Sequence, residues 1–546
     1  MYHSKDLMRR RSPWLAAALL VASLGLALHA TAPPPAQERL RRLVRLPDLA
    51  PPLGLAFDPL HGFDNLSERA EALHEIDEAQ KALRGDSSDA PRYLRLGRLY
   101  AEAGNGAQAR FALNQAVALY RKQGADQSSD GGVLAGFGEA LAAARQNEEA
   151  ERVLRQAVKI DPKDWRCRNA LGHLLLSLAW SSVDPGAAGP ASAAPRGLDP
   201  SLGARLSPDQ AERAQKLIRE SLACYNQAQR LAPDEPEVYA GRAACEAADS
   251  SFRTLMLAAA GQALDPTQLW NSTFPSDALA DFQSAAQHRP QDWRALGTAA
   301  LFEVCHASNE TGLEGPEARL QPGAWNTLTD HTRRSLRDTM THLEEVAHAA
   351  DAHAAAGALE VLGMLQYLVV HDTPGAEASL RQAVSLDPRR DQAWELLATI
   401  LEQTQRPQAL LDISQARLKV LDNAHNRLLA ARALEALHRP AAMLEAVATA
   451  QRLYPADFTT NLALAAALLE ANTDPFSTAR AMVYLARAEQ LLGSAPPRDR
   501  LLNLLLVRGL FFGLAGQPEA ARSNLQQLLE LDKNNTVAQD ALDALE

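Results

Sequence analysis

The chain has 546 residues, of which 47% are hydrophobic but only 5% are aromatic, and its formal net charge is -11. Ala and Leu favour helices, whereas β-sheets favour branched and aromatic residues, so this composition argues against an all-β protein. An ordinary apolar content argues against general disorder. The net negative charge argues against a general nucleic-acid binder, which needs clustered Lys and Arg.

The first 32 residues have the order of an export signal or a membrane anchor. Lys5 and Arg9–Arg11 precede an apolar run that extends over residues 14–32. Ala30-Thr31-Ala32 has the small residues of a cleavage site, but Pro33 follows it directly and proline at that position blocks signal peptidase. We therefore predict an uncleaved single-pass anchor. Release into the periplasm or the medium after signal cleavage is the alternative.

The orientation of this anchor rests on a weak asymmetry. Basic residues lie on both sides of the apolar run, and Arg39, Arg41, Arg42 and Arg45 follow it, so a count alone gives no bias. The amino-terminal cluster is the nearer one, which predicts that the body of the chain lies in a bacterial periplasm. The following arginines alternatively contact anionic lipid headgroups. Residues 33–66 are rich in proline and predict an extended, semi-rigid linker.

A repeated pattern fills the rest of the chain. Leu96-Gly97, Phe137-Gly138 and Leu171-Gly172 each lie within an amphipathic helical pattern, and the last two glycines are 34 residues apart. The other matching positions are Tyr93, Tyr100, Ala109 and Ala116 in the first copy and Leu134, Leu141, Ala150, Leu154, Ala157 and Pro162 in the second. This pattern resembles the tetratricopeptide repeat over about residues 67–546.

The resemblance implies an all-α fold, a right-handed α-solenoid of stacked antiparallel helix pairs, preceded here by one N-terminal hydrophobic helix. Two helices approach closely where Gly or Ala removes side-chain bulk, and larger residues fill the groove between neighbouring pairs. Proline ends the second helix because it lacks an amide hydrogen and clashes with the preceding turn. A single pair cannot bury its own apolar face, so the pairs must stack.

The spacing of the closing prolines locates irregularities between the repeats. Pro162, Pro233, Pro290, Pro388 and Pro455 are separated by 71, 57, 98 and 67 residues, so the middle of the chain holds three insertions. The predicted domains are 1–32 signal peptide or anchor, 33–66 linker, 67–300 repeats with insertions at about 181–207 and 251–274, 301–357 irregular helical repeats with a loop at about 307–322, 358–533 repeats, and 534–546 capping helix.

One small departure from the repeat lies near the middle of the chain. Gly363 stands one residue early relative to Ala376 when it is compared with the other copies. The glycine and alanine belong to different helices of one pair in this pattern.

The sequence has no pattern that predicts catalysis, a cofactor site or a metal site. It contains no phosphate-binding glycine loop, no HExxH and no GxSxG. Cys167, Cys224, Cys245 and Cys305 show no metal-ligand spacing and are predicted to be buried thiols, with a Cys224–Cys245 disulfide as an open alternative outside the cytoplasm. His331, His342 and His353 recur at one interval and are interpreted as lying on one helical face, too far apart to share an ion.

The resemblance implies that the first helix of each pair lines a concave groove for a peptide or helix of a partner. The residues predicted to face this groove are Leu94, Arg95, Arg98, Arg166, Asn169 and His173. Arginines there would bind carboxylates through bidentate hydrogen bonds.

These observations predict a non-catalytic adaptor that is tethered to the membrane through residues 14–32 and supports the assembly of envelope complexes. Its expected partners are proteins and not nucleic acids. Two alternatives remain open. The chain is an accessory subunit of an envelope enzyme, or it is a cell-wall or glycan-binding protein in which Trp270 and Trp325 stack against sugars.

Overall fold

A computed structural model describes residues 34–47, 57–58, 62–63, 68–85, 88–183, 207–259, 272, 274–310, 324–471, 476–493 and 497–546. The predicted anchor at 1–32 lies outside the described residues. The insertions predicted at about 181–207, 251–274 and 307–322 lie largely outside them, and their described ends continue helices.

The described residues form helices except for one antiparallel ladder of two short strands. The strands are β1 Phe57–Asp58 and β2 Gly62–Phe63, in which Phe57 pairs with Phe63 and Asp58 with Gly62. The helices are α1 Pro34–Leu43, α2 Glu68–Gly85, α3 Ala90–Glu102, α4 Gly106–Lys122, α5 Gly131–Ala143, α6 Asn147–Ile160, α7 Trp165–Val183, α8 Pro208–Leu231, α9 Pro236–Ala259, α10 Ser276–His288, α11 Trp293–Glu310, α12 Ala324–Thr327, α13 Asp330–Ala349, α14 Ala352–Leu365, α15 Thr373–Leu386, α16 Asp391–Gln403, α17 Pro407–Leu418, α18 Ala424–Ala436, α19 Pro440–Leu453, α20 Phe458–Ala471, α21 Ser477–Leu492, α22 Arg498–Leu514, α23 Pro518–Leu531 and α24 Thr536–Ala544.

The helices stack as pairs within two compact units. The large unit is Gly54–Leu397, and the small unit combines Met1–Leu53 with Ala398–Glu546. In the large unit α3 packs on α4, α5 on α6, α7 on α8, α9 on α10, α11 on α13 and α14 on α15. In the small unit α18 packs on α19, α20 on α21 and α22 on α23. The predicted all-α architecture of stacked helix pairs is confirmed.

A glycine in the first helix of a pair receives a leucine from the second helix. The pairs are Gly97 with Leu113, Gly138 with Leu154, Gly363 with Leu380 and Gly509 with Leu525. A β-carbon at each of these glycines would lie 2.5–2.8 Å from the γ-carbon of its leucine, which is inside van der Waals contact. The leucine follows the glycine at the same interval in three pairs and one residue later at Gly363. The repeat recognised in the sequence is therefore a repeat of one packing contact.

The additional residue after Gly363 is taken up by a π-helical turn. Residues Gln366–Val370 form this turn directly after α14, and His371 then ends it in the left-handed region with φ of 63°. A π turn adds one residue to the helical ladder. It keeps Gly363 opposite Leu380 in spite of the longer connection, which explains the departure seen in the sequence.

Each closing proline lies two residues beyond the end of a second helix. The helix ends are Ile160, Leu231, His288, Leu386 and Leu453, followed by Pro162, Pro233, Pro290, Pro388 and Pro455. Helix starts are capped by side chains as expected. Asp130 accepts hydrogen bonds from two amides at the start of α5, and Ser207 with Gln210 forms a capping box at the start of α8. Helix boundaries therefore follow local side-chain chemistry.

The prediction of an extended linker over residues 33–66 is wrong for its first part. Pro34–Leu43 is helical, and this helix packs within the small unit against α20, α22 and α24. Leu40 and Val44 are each 1% exposed. Their spacing of four residues places both on one helical face, and burial of that face stabilises a helix that the proline content alone would not predict.

One described segment is long and apolar enough to cross a membrane by length and composition. This segment is Ala352–Val370, and 78% of its apolar window is buried inside the large unit. It consists of α14 and the π turn, which pack against α11, α13 and α15. Its apolar character therefore reflects a position in the protein core.

Candidate partner-binding cleft

The three predicted groove residues on α3 differ in their exposure to solvent. Leu94 is only 6% exposed and belongs to an apolar core cluster with Leu113 and Val117, so its assignment to an open groove is wrong. Arg95 and Arg98 are exposed. Arg98 stands one helical turn after Leu94, and its long side chain extends from that side of α3 to solvent. Only these two remain accessible to a partner on this helix.

Each accessible arginine already contacts a carboxylate of a neighbouring helix. Arg95 Nη2 lies 2.7 Å from Glu75 Oε2 of α2, and Arg98 Nη2 lies 3.0 Å from Glu139 Oε2 of α5. The guanidinium of Arg166 lies 5.4 Å from the centre of the Trp165 ring. All three arginines remain candidates for carboxylate binding, and a partner carboxylate would have to compete with the ion pairs of Arg95 and Arg98.

Asn169 and His173 both line one cleft. The cleft has a volume of about 370 Å³ and lies across α7, α9 and α11, the first helices of three successive pairs. Its lining residues are Asn169, His173, Leu176, Tyr225, Pro236, Glu237, Ala240, Gly241, Ala244, Phe282, Ala285, Arg289, Asp292, Arg294, Ala295 and Thr298. Ala240, Gly241 and Ala244 recur along one face of α9, and their small side chains leave the space open.

The ring of Tyr225 forms the floor of the cleft. Tyr225 is 1% exposed, and its ring lies between Gly172 of α7 and Gly241 of α9. A β-carbon at Gly172 would lie 3.1 Å from the ring, and one at Gly241 would lie 2.3 Å from it. Burial raises the pKa of the phenol far above its ordinary value, so the hydroxyl stays neutral at physiological pH.

The polar groups of the cleft include one unmatched hydrogen-bond acceptor. Asn169 Oδ1 is buried, and no donor among the described residues lies within hydrogen-bonding distance of it. The rim carries both signs of charge, since Arg289 Nη2 lies 3.1 Å from Glu237 Oε1. Asp292 instead caps α11, and its Oδ1 accepts hydrogen bonds from the amides of Arg294 and Ala295. A peptide amide is a chemically suitable donor for the free asparagine oxygen.

An ion pair joins α9 and α10, two of the helices that line the cleft. Arg242 of α9 binds both carboxylate oxygens of Asp281 of α10, and the two side chains are 19% and 4% exposed. One turn further along α9, burial and the nearby Asp281 raise the pKa of Glu246 to about 7. This group therefore changes charge near neutral pH, close to the helices that shape the cleft.

The cysteines have the properties of packing residues. All four are free, and Cys167, Cys245 and Cys305 are buried. Burial raises the pKa of Cys167 and Cys245 to about 12 and that of Cys224 to about 11, so these three thiols stay protonated at neutral pH. In the part of the chain that the structure describes, no group of three or more His, Cys, Asp and Glu residues is arranged to hold a metal ion.

The interpretation that His331, His342 and His353 share one helical face is wrong. His331 and His342 lie on α13, whereas His353 lies on α14, because the chain turns at Ala350 and Asp351. His353 Nδ1 lies 2.9 Å from Asp387 Oδ2, and the ring stacks on that of His74 with a distance of 4.1 Å between centres. The equal intervals in the sequence therefore cross a helix boundary.

The sequence did not reveal the part of the cleft contributed by α9 and α11. Gly241 stands eight residues after Pro233, whereas Gly172 stands ten residues after Pro162, so Gly241 is not at the position of the repeat glycine and the pattern does not mark it. Glu237, Arg289 and Arg294 do not stand at positions that the repeat marks. Charged residues are common on exposed helices, so no pattern in the sequence distinguishes these three. Trp325, a candidate for sugar stacking, has the guanidinium of Arg337 at 5.2 Å from its ring centre, and Trp270 lies outside the described residues.

The recurring glycine–leucine contact, the closing prolines and the stacked pairs decide the architecture. The fold is that of a tetratricopeptide array. No family model and no curated protein matches the chain. Among solved structures, yeast Tom70 is similar at 13% identity and a TM-score of 0.35, covering 87% of this chain and 91% of that chain.

Two further solved structures are similar at the same level. A tetratricopeptide repeat protein from Parabacteroides merdae ATCC 43184 has 12% identity and a TM-score of 0.33, covering 55% of this chain and 98% of that one. The APC/C hetero-tetramer Cut9-Hcn1 has 13% identity and a TM-score of 0.30, covering 87% and 88%. At these values the similarities say nothing about function, and the tetratricopeptide assignment rests on the packing.

Proposed function

We propose that this tetratricopeptide array is a non-catalytic adaptor that binds a segment of a partner protein in the cleft of α7, α9 and α11. The observation that carries the proposal is the cleft itself, about 370 Å³ in volume, which lies across the first helices of three successive pairs and is bordered on α9 by Ala240, Gly241 and Ala244. A concave, largely apolar opening with a few polar groups is the usual form of a binding site.

The lining of the cleft favours a peptide segment as the ligand. Small residues on α9 allow a backbone to approach closely, and the Asn169 amide matches the donors and acceptors of a peptide bond. His173, Glu237 and Arg294 surround this position with groups of different charge. A partner segment with both acidic and basic side chains would complement them.

The cleft is tested by filling it. Ala240→Trp places an indole in the open space beside Gly241, and we expect partner capture from solubilised cell envelopes to fall by about tenfold or more. Lys216→Trp, on an exposed part of α8 away from the lining residues, is the matched control and should leave capture unchanged. The measurement is quantitative mass spectrometry of proteins crosslinked through a photoreactive residue at position 173.

Circular dichroism melting of both variants reports whether the fold is kept. Equal crosslinking yields for the wild type and for folded Ala240→Trp would contradict the cleft assignment. Crosslinks to the catalytic subunit of an envelope enzyme would favour the accessory-subunit alternative, and crosslinks to glycan alone would favour the cell-wall alternative.

We also propose that the adaptor is held at a bacterial membrane by residues 14–32, with its helix pairs in the periplasm, and that it assembles envelope complexes there. The order of basic and apolar residues and the proline after Ala32 support this placement. A tether and a cleft for protein segments are the two properties that such an assembly role requires.

A further inference from the structure

The face of the small unit that is formed by first helices is covered by part of the same chain. Helix α1 contacts α20 and α22, the first helices of the last two pairs, and α24. Leu40 of α1 and Val44, the first residue beyond its end, are each 1% exposed, and Leu46, three residues beyond that end, is 5% exposed. A β-carbon at Gly513 of α22 would lie 2.8 Å from Leu40 Cδ1, so Leu40 lies directly against the backbone of that helix.

The chain after α1 is held by a hydrogen bond to a different helix. The amide of Leu46 donates to Glu435 Oε1 of α18 at 2.9 Å. This bond and the burial of Leu46 extend the contact beyond α1 to a segment of residues 34–47, which we call the strap. On the outer side of the strap, Glu38, Arg39 and Arg42 are exposed.

The face formed by first helices is open in the large unit and covered in the small unit. In the large unit the first helices α7, α9 and α11 border an open cleft. In the small unit the corresponding helices α20 and α22 have that side filled by three large apolar side chains of the strap. The strap therefore occupies the position that a ligand of such a face would take.

We propose that the first-helix face of the small unit is a second binding groove, which takes an amphipathic helix, and that the strap is its resident and displaceable ligand. This groove is separate from the cleft, and the proposal does not depend on the proposed function. Its occupant is residues 34–47 of the same chain, bound intramolecularly.

The length of α1 makes the occupancy reversible. Isolated helices of about ten residues are marginal in water, so α1 is helical because it is docked and loses its structure when it leaves. Undocking exposes the apolar groove together with Leu40 and Val44, which favours rebinding. A competing helix with the same spacing of apolar residues and its own partner contacts would shift this balance.

The groove selects its ligand by the pattern that the strap displays. Leu40 and Val44 stand four residues apart, and Leu46 follows beyond the end of α1 with its amide donating to Glu435. A ligand therefore needs two apolar residues one helical turn apart, a third apolar residue two positions later and a polar outer side. A basic outer side is tolerated because Arg39 and Arg42 do not face the groove.

The test compares the wild-type chain with Leu40→Asp/Val44→Asp, whose carboxylates cannot stay buried in the groove. A fluorescent synthetic peptide of residues 34–47 should bind this full-length variant about tenfold or more tightly than the wild type, because the resident ligand no longer competes. Arg39→Asp/Arg42→Asp introduces the same side chains on the outer face and should behave like the wild type. Equal binding to all three chains, or no binding to the folded release variant, would overturn the proposal.

Hydrogen exchange of the wild-type chain tests the proposal even if the Leu40→Asp/Val44→Asp variant does not fold. Excess peptide should increase amide exchange in 37–46 at least about threefold while the amides of α22 keep their protection. Unchanged exchange in the strap would overturn the proposal. A wild-type dimer that the peptide dissociates would also overturn it, since the strap would then fill the groove of a second copy.

Discussion

Half-buried carboxylates are the groups of this protein whose charge depends most on pH. In the small unit, Glu435 of α18 and Glu470 of α20 influence the pKa of each other, and Arg45 of the strap lowers the pKa of both. Burial, the largest cause, and the neighbouring Glu435 together raise the pKa of Glu470 to about 7, while Arg45 opposes the shift. Burial also raises the pKa of Glu435, while its bond from the Leu46 amide acts in the opposite direction.

The sign of the resulting pH effect follows from the raised pKa. Folded protein keeps the proton of Glu470 up to about pH 7, whereas an unfolded chain releases it near the ordinary value of 4.5. Stabilisation from this proton is therefore complete below about pH 4.5 and is lost as the pH rises through about 7. We expect Glu470→Gln, which cannot ionise, to lose less thermal stability than the wild type between about pH 5.5 and pH 8.

The measurement is the melting temperature of the small unit, followed by hydrogen exchange or by a fluorescent label on α22. Glu530→Gln, at an exposed position on α23, is the control and should follow the wild-type pH dependence. Identical pH profiles for Glu470→Gln and the wild type would show that Glu470 does not titrate differently in the folded chain.

At the scale of helices, a buried ion pair in the large unit joins α14 to the turn that precedes α16. Arg390, just before α16, and Glu360 of α14 are both 0% exposed, with 3.3 Å between Arg390 Nη1 and Glu360 Oε2. Glu360 also accepts a hydrogen bond from the Ala393 amide at 3.0 Å, and Arg390 donates to the His353 carbonyl at 2.9 Å. The guanidinium lies 4.9 Å from the centre of the Trp293 ring.

Removing one member of this pair leaves the other charge buried. Asp387 Oδ2 remains 3.5 Å from Arg390 Nε and compensates part of the charge. We therefore expect Glu360→Ala to lower the free energy of unfolding of the large unit by about 3 kcal/mol, the lower end of the usual cost of breaking a buried ion pair. Glu377→Ala removes the partner of Arg381 from a pair whose arginine is 42% exposed, and should cost about 1 kcal/mol or less. Urea denaturation followed by tryptophan fluorescence measures both, and equal losses would contradict the assigned role of the buried pair.

At the scale of the whole molecule, the chain is divided between two compact units, and residues near its amino end belong to the small one. The strap begins two residues after the predicted anchor, so docking of the strap would connect that anchor to the small unit. This connection follows from sequence proximity and from the packing of α1.

The anchor itself predicts how the chain distributes in a cell. Wild-type protein should stay with the membrane after carbonate extraction and should keep Met1, because Pro33 blocks cleavage after Ala32. Leu20→Arg/Leu24→Arg should abolish membrane insertion, since each arginine at the centre of a span costs about 2.5–3.5 kcal/mol. Leu20→Val/Leu24→Val is the matched control and should remain in the membrane.

Pro33→Ala separates the two interpretations of the amino terminus. With the block removed, we expect cleavage after Ala32 and a soluble periplasmic product, detected by its mass and by fractionation. A wild-type chain that already begins at Pro33 would establish the signal-peptide alternative. A wild-type chain found in the cytosol would contradict both.

The sequence predicted most of the helix pairs because their determinants are local. Gly138 and Leu154 stand at an interval that one pair spans, and a proline two residues beyond a second helix prevents that helix from continuing. Of the residues assigned to the groove from this repeat, Asn169 and His173 line the cleft. The pattern was misleading at Leu94. Leu94 is buried and the next residue, Arg95, is exposed, and the repeat alone does not show which of two adjacent positions on α3 faces the core.

The sequence by itself determined the fold class and the contact that repeats through the array, since each depends on residues within one or two helices. Only the tertiary structure decided the docking of the strap, the position of Tyr225 at the floor of the cleft and the burial of Arg390. These depend on side chains far apart in the chain, and their free energy comes from apolar area and charge that meet only when the helices pack.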